Sequence, residues 1–185
     1  MSDAVSPSFY RALIHPRGVY SLTLGTVLGS SLWHSFIGGP VAYGALPRMQ
    51  FGHLQSALFP KFFALQSTAS FVLLGLYGKT RSLTSKALWR NDRNLWLLAV
   101  MAVSGVANWA VVGPWTTAVM KRRHRKERLE GKDYSDPAAS DEMKLLNRKF
   151  AKLHGVSSLI NLAFLLAAVA HTAHIGTFGA LPALA

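Results

Sequence analysis

Four runs without a single ionic side chain set the terms for this chain. No Asp, Glu, Lys or Arg occurs between Arg17 and Arg48, from Phe62 to Gly78, from Asn94 to Met120, or from Leu153 to Ala185. A helix rising about 1.5 Å per residue needs about 20 mostly apolar residues to cross a ~30 Å hydrocarbon layer. Three runs reach that length easily, and the second sits at the short end of the workable range. The rival is a soluble bundle of four buried helices, which requires a charged outer face at helical period. Leu95–Val112 and Leu159–Ala170 carry no such face. The expected fold is all-α: a polytopic membrane protein, a four-helix transmembrane bundle with a basic helical hairpin between its third and fourth helices.

Charge supports this through its placement. Only 15% of residues are charged, against roughly 25% in soluble domains. The net charge of +12 invites a nucleic-acid reading, but all twenty Lys and Arg lie at the edges of the runs or between them. No aromatic interleaving or recognisable module supports nucleic-acid binding. Membrane lipids are the expected partners, with a homo-oligomer as a further option. There is no cysteine, which excludes disulfide and thiolate chemistry.

The leader MSDAVSPSFYRALIHPR carries Arg11, His15 and Arg17 but also Asp3, a weak mitochondrial presequence. The apolar run after it is too long for a cleaved signal, so a retained first helix fits better. An endomembrane or plasma-membrane location is favoured over a mitochondrial membrane.

The expected plan is a tail at 1–17, a four-helix domain at 18–178 and a tail at 179–185. Spans are expected near 18–38, 60–78, 94–115 and 154–176. Gly38-Gly39-Pro40 should break or kink the first helix, and Gly25 and Gly29 form a GxxxG pair suited to close helix approach. Met49–Phe59 reads as a short interfacial or partly buried helix, with Pro60 in the first turn of the second span. Trp89 and Trp96 suit an interfacial belt.

The third helix passes Gly113-Pro114 into the basic run Lys121–Arg128. After a turn at Gly131–Asp136, either Asp136-Pro137 or Ser140-Asp141-Glu142 offers the cap of a helix running to about Gly176. Thirteen basic residues fall on the hairpin side and seven on the other. The positive-inside tendency therefore puts the hairpin in the cytoplasm and both termini outside.

Polar residues inside spans are costly and face the bundle interior. His34, Gln66, Asn108 and Asn161 supply one per helix. By helical rise, Asn161 lies about 10 Å past His154, Gln66 about 8 Å past Lys61, Asn108 about 21 Å past Asn94 and His34 about 25 Å past Arg17. All four then fall in the half nearest the hairpin, as one polar layer. Interhelical hydrogen bonding that holds the bundle together explains such a layer, and so does a substrate or ion site.

His171 and His174, three apart, or His34 with His154, invite a haem reading. No carboxylate or cysteine lies in a span to complete a metal shell, so neither metal nor cofactor is expected. No spacing marks a nucleophile with its base, and an enzyme is not expected. The cluster Lys121, Arg122, Arg123, Arg125, Lys126 and Arg128 either contacts anionic lipid headgroups or only fixes topology.

Three blocks carry a resemblance. They are Gly29–Pro40 with Leu46–Arg48 and Phe51–Phe63, then Ala107-Asn108 with Gly113–Met120 and Arg123–Gly131, then Phe150 with Leu153–Leu162. Together they resemble the transmembrane protein 205-like domain family over about residues 18–170. A tyrosine common in that family's proline-aromatic run is here Phe62 or Phe63. The resemblance implies a four-helix integral membrane protein and brings no defined activity. It weights the Gly38-Gly39-Pro40 break, the Phe59-Pro60 entry, Asn108, His154 and Asn161.

Two function classes follow. One is a non-enzymatic membrane protein with a scaffold, trafficking or lipid-contact role. The other is a small transporter or channel built on the polar layer.

Overall fold

Pro16 and the His15 imidazole start the first long helix: His15 Nδ1 accepts the Arg17 amide at 3.3 Å, and Pro16 occupies the first turn, where no N–H is needed. The computed structural model describes residues 7–81 and 92–178, all-helical with no strand among them. A short helix α1 (Pro7–Ile14) precedes α2 (Pro16–Trp33), a π-helical turn (His34–Gly38) and α3 (Gly39–Ala45).

Of the break or kink expected at Gly38-Gly39-Pro40, the break does not occur, and a π turn takes its place. Gly38 and Gly39 keep right-handed helical angles, and the Gly39 amide bonds to the His34 carbonyl five residues back. Proline in an α-helix collides with the carbonyl four residues before it. The wider π turn moves that carbonyl aside and the helix continues. The rod ends at Leu46, which is extended because Pro47 follows.

Helix α4 (Arg48–Arg81) contradicts a second expectation. Met49–Phe59 is not a separate helix, and Pro60 lies inside α4 rather than in its first turn. Pro47 provides the start instead, its carbonyl accepting the Phe51 amide at 2.9 Å. Ending the helix at Pro60 would leave several backbone groups without partners in hydrocarbon, whereas passing through it forfeits one bond.

Asp92 caps α5 (Arg93–Val106), accepting from the Asn94 and Leu95 amides and from the Tyr77 hydroxyl of α4. A second π turn (Ala107–Val112) leads into α6 (Gly113–Glu130), and again a Gly-Pro pair follows the wide turn. Gly131, at φ +61°, terminates α6 in the left-handed region. Of the two caps considered, Ser140 starts α7 (Asp141–Phe178): its hydroxyl accepts the Met143 amide at 3.2 Å, with Asp141 and Glu142 in the first turn. The expected helical hairpin thus comprises the ends of α6 and α7.

Three stretches, Arg48–Lys79, Arg93–Glu130 and Asp141–Phe178, are long and apolar enough to cross a membrane. The first rod, Pro16–Ala45, is not among them, because Ser, Thr, Gly and His34 dilute its apolar residues.

The burial pattern departs from that of a soluble bundle. Phe71, Val103, Leu159 and Leu166 are exposed, whereas Gln66, Ser70, Asn94, Asn108 and His171 are buried. Lipid-facing carbon around a partly polar interior fits a membrane-embedded protein. Away from the hairpin, Tyr20, Leu24, Leu73, Leu98, Phe164 and Ala168 belong to one close-packed core.

Two long helices come close at Gly105, where an added Cβ would stand 3.0 Å from the Ser67 amide nitrogen and 3.1 Å from its Cα. Among the described residues the GxxxG pair makes no close helix contact: a Cβ on Gly25 or Gly29 would meet nothing within 4 Å. Trp96 is exposed in the first turn of α5. Trp89, most of the loop around it and the 179–185 tail lie outside the described residues.

Candidate functional site: a cavity above a polar layer

The hairpin half of the bundle is hollow. A cavity of about 880 Å³ lies between the first rod, α4, α6 and α7. Each wall is a helical stripe at three- and four-residue spacing. Helix α4 supplies Arg48, Phe51, Gly52, Gln55, Phe59 and Phe63; α6 supplies Gly113, Thr116, Met120 and Arg123; α7 supplies Phe150, His154, Asn161 and Leu165. Helical rise makes the α4 stripe about 22 Å long and the α6 stripe about 15 Å.

The wall is mostly carbon despite its hydroxyls. Ser56 Oγ donates to the His53 carbonyl at 2.7 Å and Thr116 Oγ1 to the Val112 carbonyl at 2.7 Å. Such back-bonding satisfies the hydroxyl within its own helix.

The deep end meets the polar layer. Gln66 Nε2 donates to Ser31 Oγ at 3.1 Å and to Asn161 Oδ1 at 2.9 Å, and Asn161 Nδ2 donates to Ser35 Oγ at 3.2 Å. Asn108 Nδ2 reaches the Ser157 carbonyl at 3.0 Å. Gln66, Asn108 and Asn161 therefore tie all four long helical rods together at one level. His34 stands beside this network, its ring centroid 5.2 Å from Phe59 and 4.7 Å from Phe62. Ser31, Ser35 and Ser157 complete the layer and were not singled out from sequence. Serine is common in membrane helices, and only register selects these three.

Several buried polar atoms have no hydrogen-bond partner among the described residues: Gln55 Oε1, Gln66 Oε1, Asn108 Oδ1, Asn147 Oδ1 and Arg123 Nε. An unmet buried group costs about 1–3 kcal/mol, so each asks for an explanation. Gln55 is 6% exposed, and it and Arg123 line the cavity.

At the mouth, Arg123 lies 4.4 Å from the Tyr134 ring centroid and 4.3 Å from that of Phe150. Arg48 lies 3.6 Å from the Tyr43 ring centroid. The basic cluster thus divides. Arg123 turns inward; Lys126 bridges Glu130 at 3.3 Å and Glu142 at 2.6 Å; Lys121, Arg122, Arg125 and Arg128 face outward. In the connecting turn, the Ser135 hydroxyl and amide hold the Asp133 carboxyl below its ordinary range.

Of the histidines considered as ligands, His34 and His154 line the same cavity. His171 and His174 do not share a ligand face. Both ring nitrogens of the buried His171 are engaged, Nε2 by the Tyr20 hydroxyl and Nδ1 by Asn94 Oδ1 at 3.0 Å, while His174 packs on Phe178. This Tyr20–His171–Asn94 chain pins the core opposite the hairpin. Sequence spacing gave no signal for it, since its members are 151 and 77 residues apart.

A family model described as "Domain of unknown function (DUF4149)" matches residues 22–125, from α2 to the basic run of α6. No solved structure matches the chain.

Proposed function

Because the chain belongs to the DUF4149 family, whose description assigns no activity, we propose its function from the geometry: a four-span membrane protein that holds a lipid-derived amphiphile and performs no reaction on it. The carrying observation is the cavity, walled by aromatic side chains and reaching from two arginines to the polar layer. At about 880 Å³ it falls within the roughly 300–1,000 Å³ of small-molecule sites.

The first rod is the fourth span in this reading. It bonds Gln66, Asn161 and His171, all inside candidate spans, and so lies at their depth. Its outward residues Leu22, Leu32, Ile37 and Val41 suit lipid contact. The resemblance to the transmembrane protein 205-like domain points the same way. With four spans both termini share one side, and the basic hairpin lies on the other, the cytoplasmic side.

Native mass spectrometry of the purified protein tests the binding role. A bound amphiphile is expected, and Ser158→Trp, which fills the cavity from α7, should displace it. Protein that carries no amphiphile, or binds it equally after filling, defeats the reading. Protease protection of terminal and hairpin tags tests the span count, and tags protected on opposite sides for the two termini would remove the fourth span.

A transporter is the second reading, favoured by Gln66 Oε1 and Asn108 Oδ1, which stand without partners in the layer. It requires a path through the packed core around Tyr20, Leu73 and Phe164. Flux in proteoliposomes that is lost in Asn108→Ala protein of normal stability would select it.

A further inference from the structure

We propose that the occupant is an anionic lysophospholipid: one acyl chain and a phosphate, with a free hydroxyl between them. This rests on the reading of the cavity as an amphiphile site and names the ligand class. Its phosphate sits between Arg48 and Arg123, and its chain runs toward Asn161.

Charge is the first support. Arg48 and Arg123 line the cavity, and among the described residues no Asp or Glu lines it. Among the described residues neither guanidinium is in an ion pair, and Arg123 Nε is buried without a hydrogen-bond partner. Aromatic faces hold both groups in place without neutralising them. Glu127 and Asp133 act on the Arg123 charge, and Asp133 on that of Arg48, but from beyond ion-pair distance: Glu127 accepts the Tyr134 amide at 3.1 Å and Asp133 accepts from Ser135. A guanidinium fork with open donors matches phosphate oxygens.

Length is the second. From the arginines to the deep end is about 15 Å along α6 and about 22 Å along α4. One leaflet of a ~30 Å hydrocarbon layer is about 15 Å deep. A chain anchored at the arginines therefore ends near the polar layer. The back-bonded Ser56 and Thr116 leave it a carbon wall.

Gln55 is the third. It lies seven residues after Arg48 on the same α4 stripe, about 10 Å deeper, 6% exposed and with Oε1 unpartnered. A polar linker between phosphate and chain would supply the donor that this oxygen lacks. A single chain also suits the volume, which falls within the small-molecule range.

The test is titration of the full chain in detergent, read by native mass spectrometry. The probes are oleoyl lysophosphatidate, mono-oleoylglycerol, dioleoyl phosphatidate and inorganic phosphate. Lysophosphatidate should bind at least tenfold tighter than mono-oleoylglycerol and phosphatidate, and inorganic phosphate should not compete. Arg123→Gln should bring the lysophosphatidate to mono-oleoylglycerol ratio near one, with mono-oleoylglycerol affinity within twofold of the parent. Arg122→Gln, on the outward face, should leave the ratio unchanged. Should Arg123→Gln fail to fold, Arg48→Gln at the exposed helix start carries the same expectation.

Equal binding of the neutral glyceride overturns the anion assignment while the cavity reading stands. Equal binding of phosphatidate overturns the single chain, and competition by inorganic phosphate overturns the amphiphile in favour of a bare anion site. A collapse of the ratio in Arg122→Gln would move the contact to the surface cluster and sink the proposal. If no lipid binds, the failure lies in the cavity reading itself.

Discussion

The two halves of this bundle share the same helices and differ in what fills the space between them. Away from the hairpin, Leu24, Leu73, Leu98, Phe164 and Ala168 close around the Tyr20–His171–Asn94 chain. Toward the hairpin, Phe51, Phe59, Phe63 and Phe150 stand around a void of about 880 Å³. The border is the polar layer, and both π turns lie at its level: His34 begins one and Asn108 lies within the other. In lipid, packing rather than water exclusion drives helix association. A half whose space is filled by interlocking Leu, Phe and Ala side chains therefore coheres, and a half spaced by arginine and phenylalanine stays open. The contrast assigns stability to one end and binding to the other.

The largest expected effect tests that assignment directly. Phe164→Ala should cost about 3–5 kcal/mol, because it leaves a cavity in a packed core. Phe59→Ala, on the wall of an existing void, should cost about 1 kcal/mol or less. Thermal unfolding in detergent compares them, and equal losses would erase the distinction between the halves.

The next concerns backbone approach. Gly105→Leu drives a side chain into the Ser67 backbone and should destabilise by about 1–3 kcal/mol. Gly29→Leu meets open space and should change stability by about 0.5 kcal/mol or less. A large loss at Gly29, read by the same unfolding assay, would reveal a helix contact outside the single chain.

The smallest lies on the border. Gln66→Leu removes hydrogen bonds to Ser31 and Asn161, each worth about 0.6 kcal/mol in membrane bundles. Amphiphile binding should stay within twofold. A complete loss of binding with normal stability would move the layer from scaffold to site and sharpen the transporter reading.

How much was legible in advance follows from what each signal measures. Uncharged runs report the solvent, and they located the long helices. Rarity marked His34, Gln66, Asn108 and Asn161, and helical rise set them at one depth; the three amides hydrogen-bond across helices, whereas His34 packs on Phe59 and Phe62 beside them. Proline misled at Pro60, and at Pro40 in the break alternative alone, because a local rule cannot see that membrane backbone gains by continuing. The π turn at His34–Gly38 and the uninterrupted α4 are the outcomes. Arg123 looked like five other cationic residues. Only the positions of Tyr134 and Phe150 turn it inward.

By itself the sequence determined the helical class, the membrane setting, the polar layer and the basic hairpin, because each depends on residue type and spacing along one helix. The tertiary structure alone decided which half packs, which glycine is crowded, which arginine faces the void and that His171 is consumed by Tyr20 and Asn94. Those outcomes depend on the rotation and separation of helices about one another, fixed by the sum of many small contacts between residues far apart in the chain.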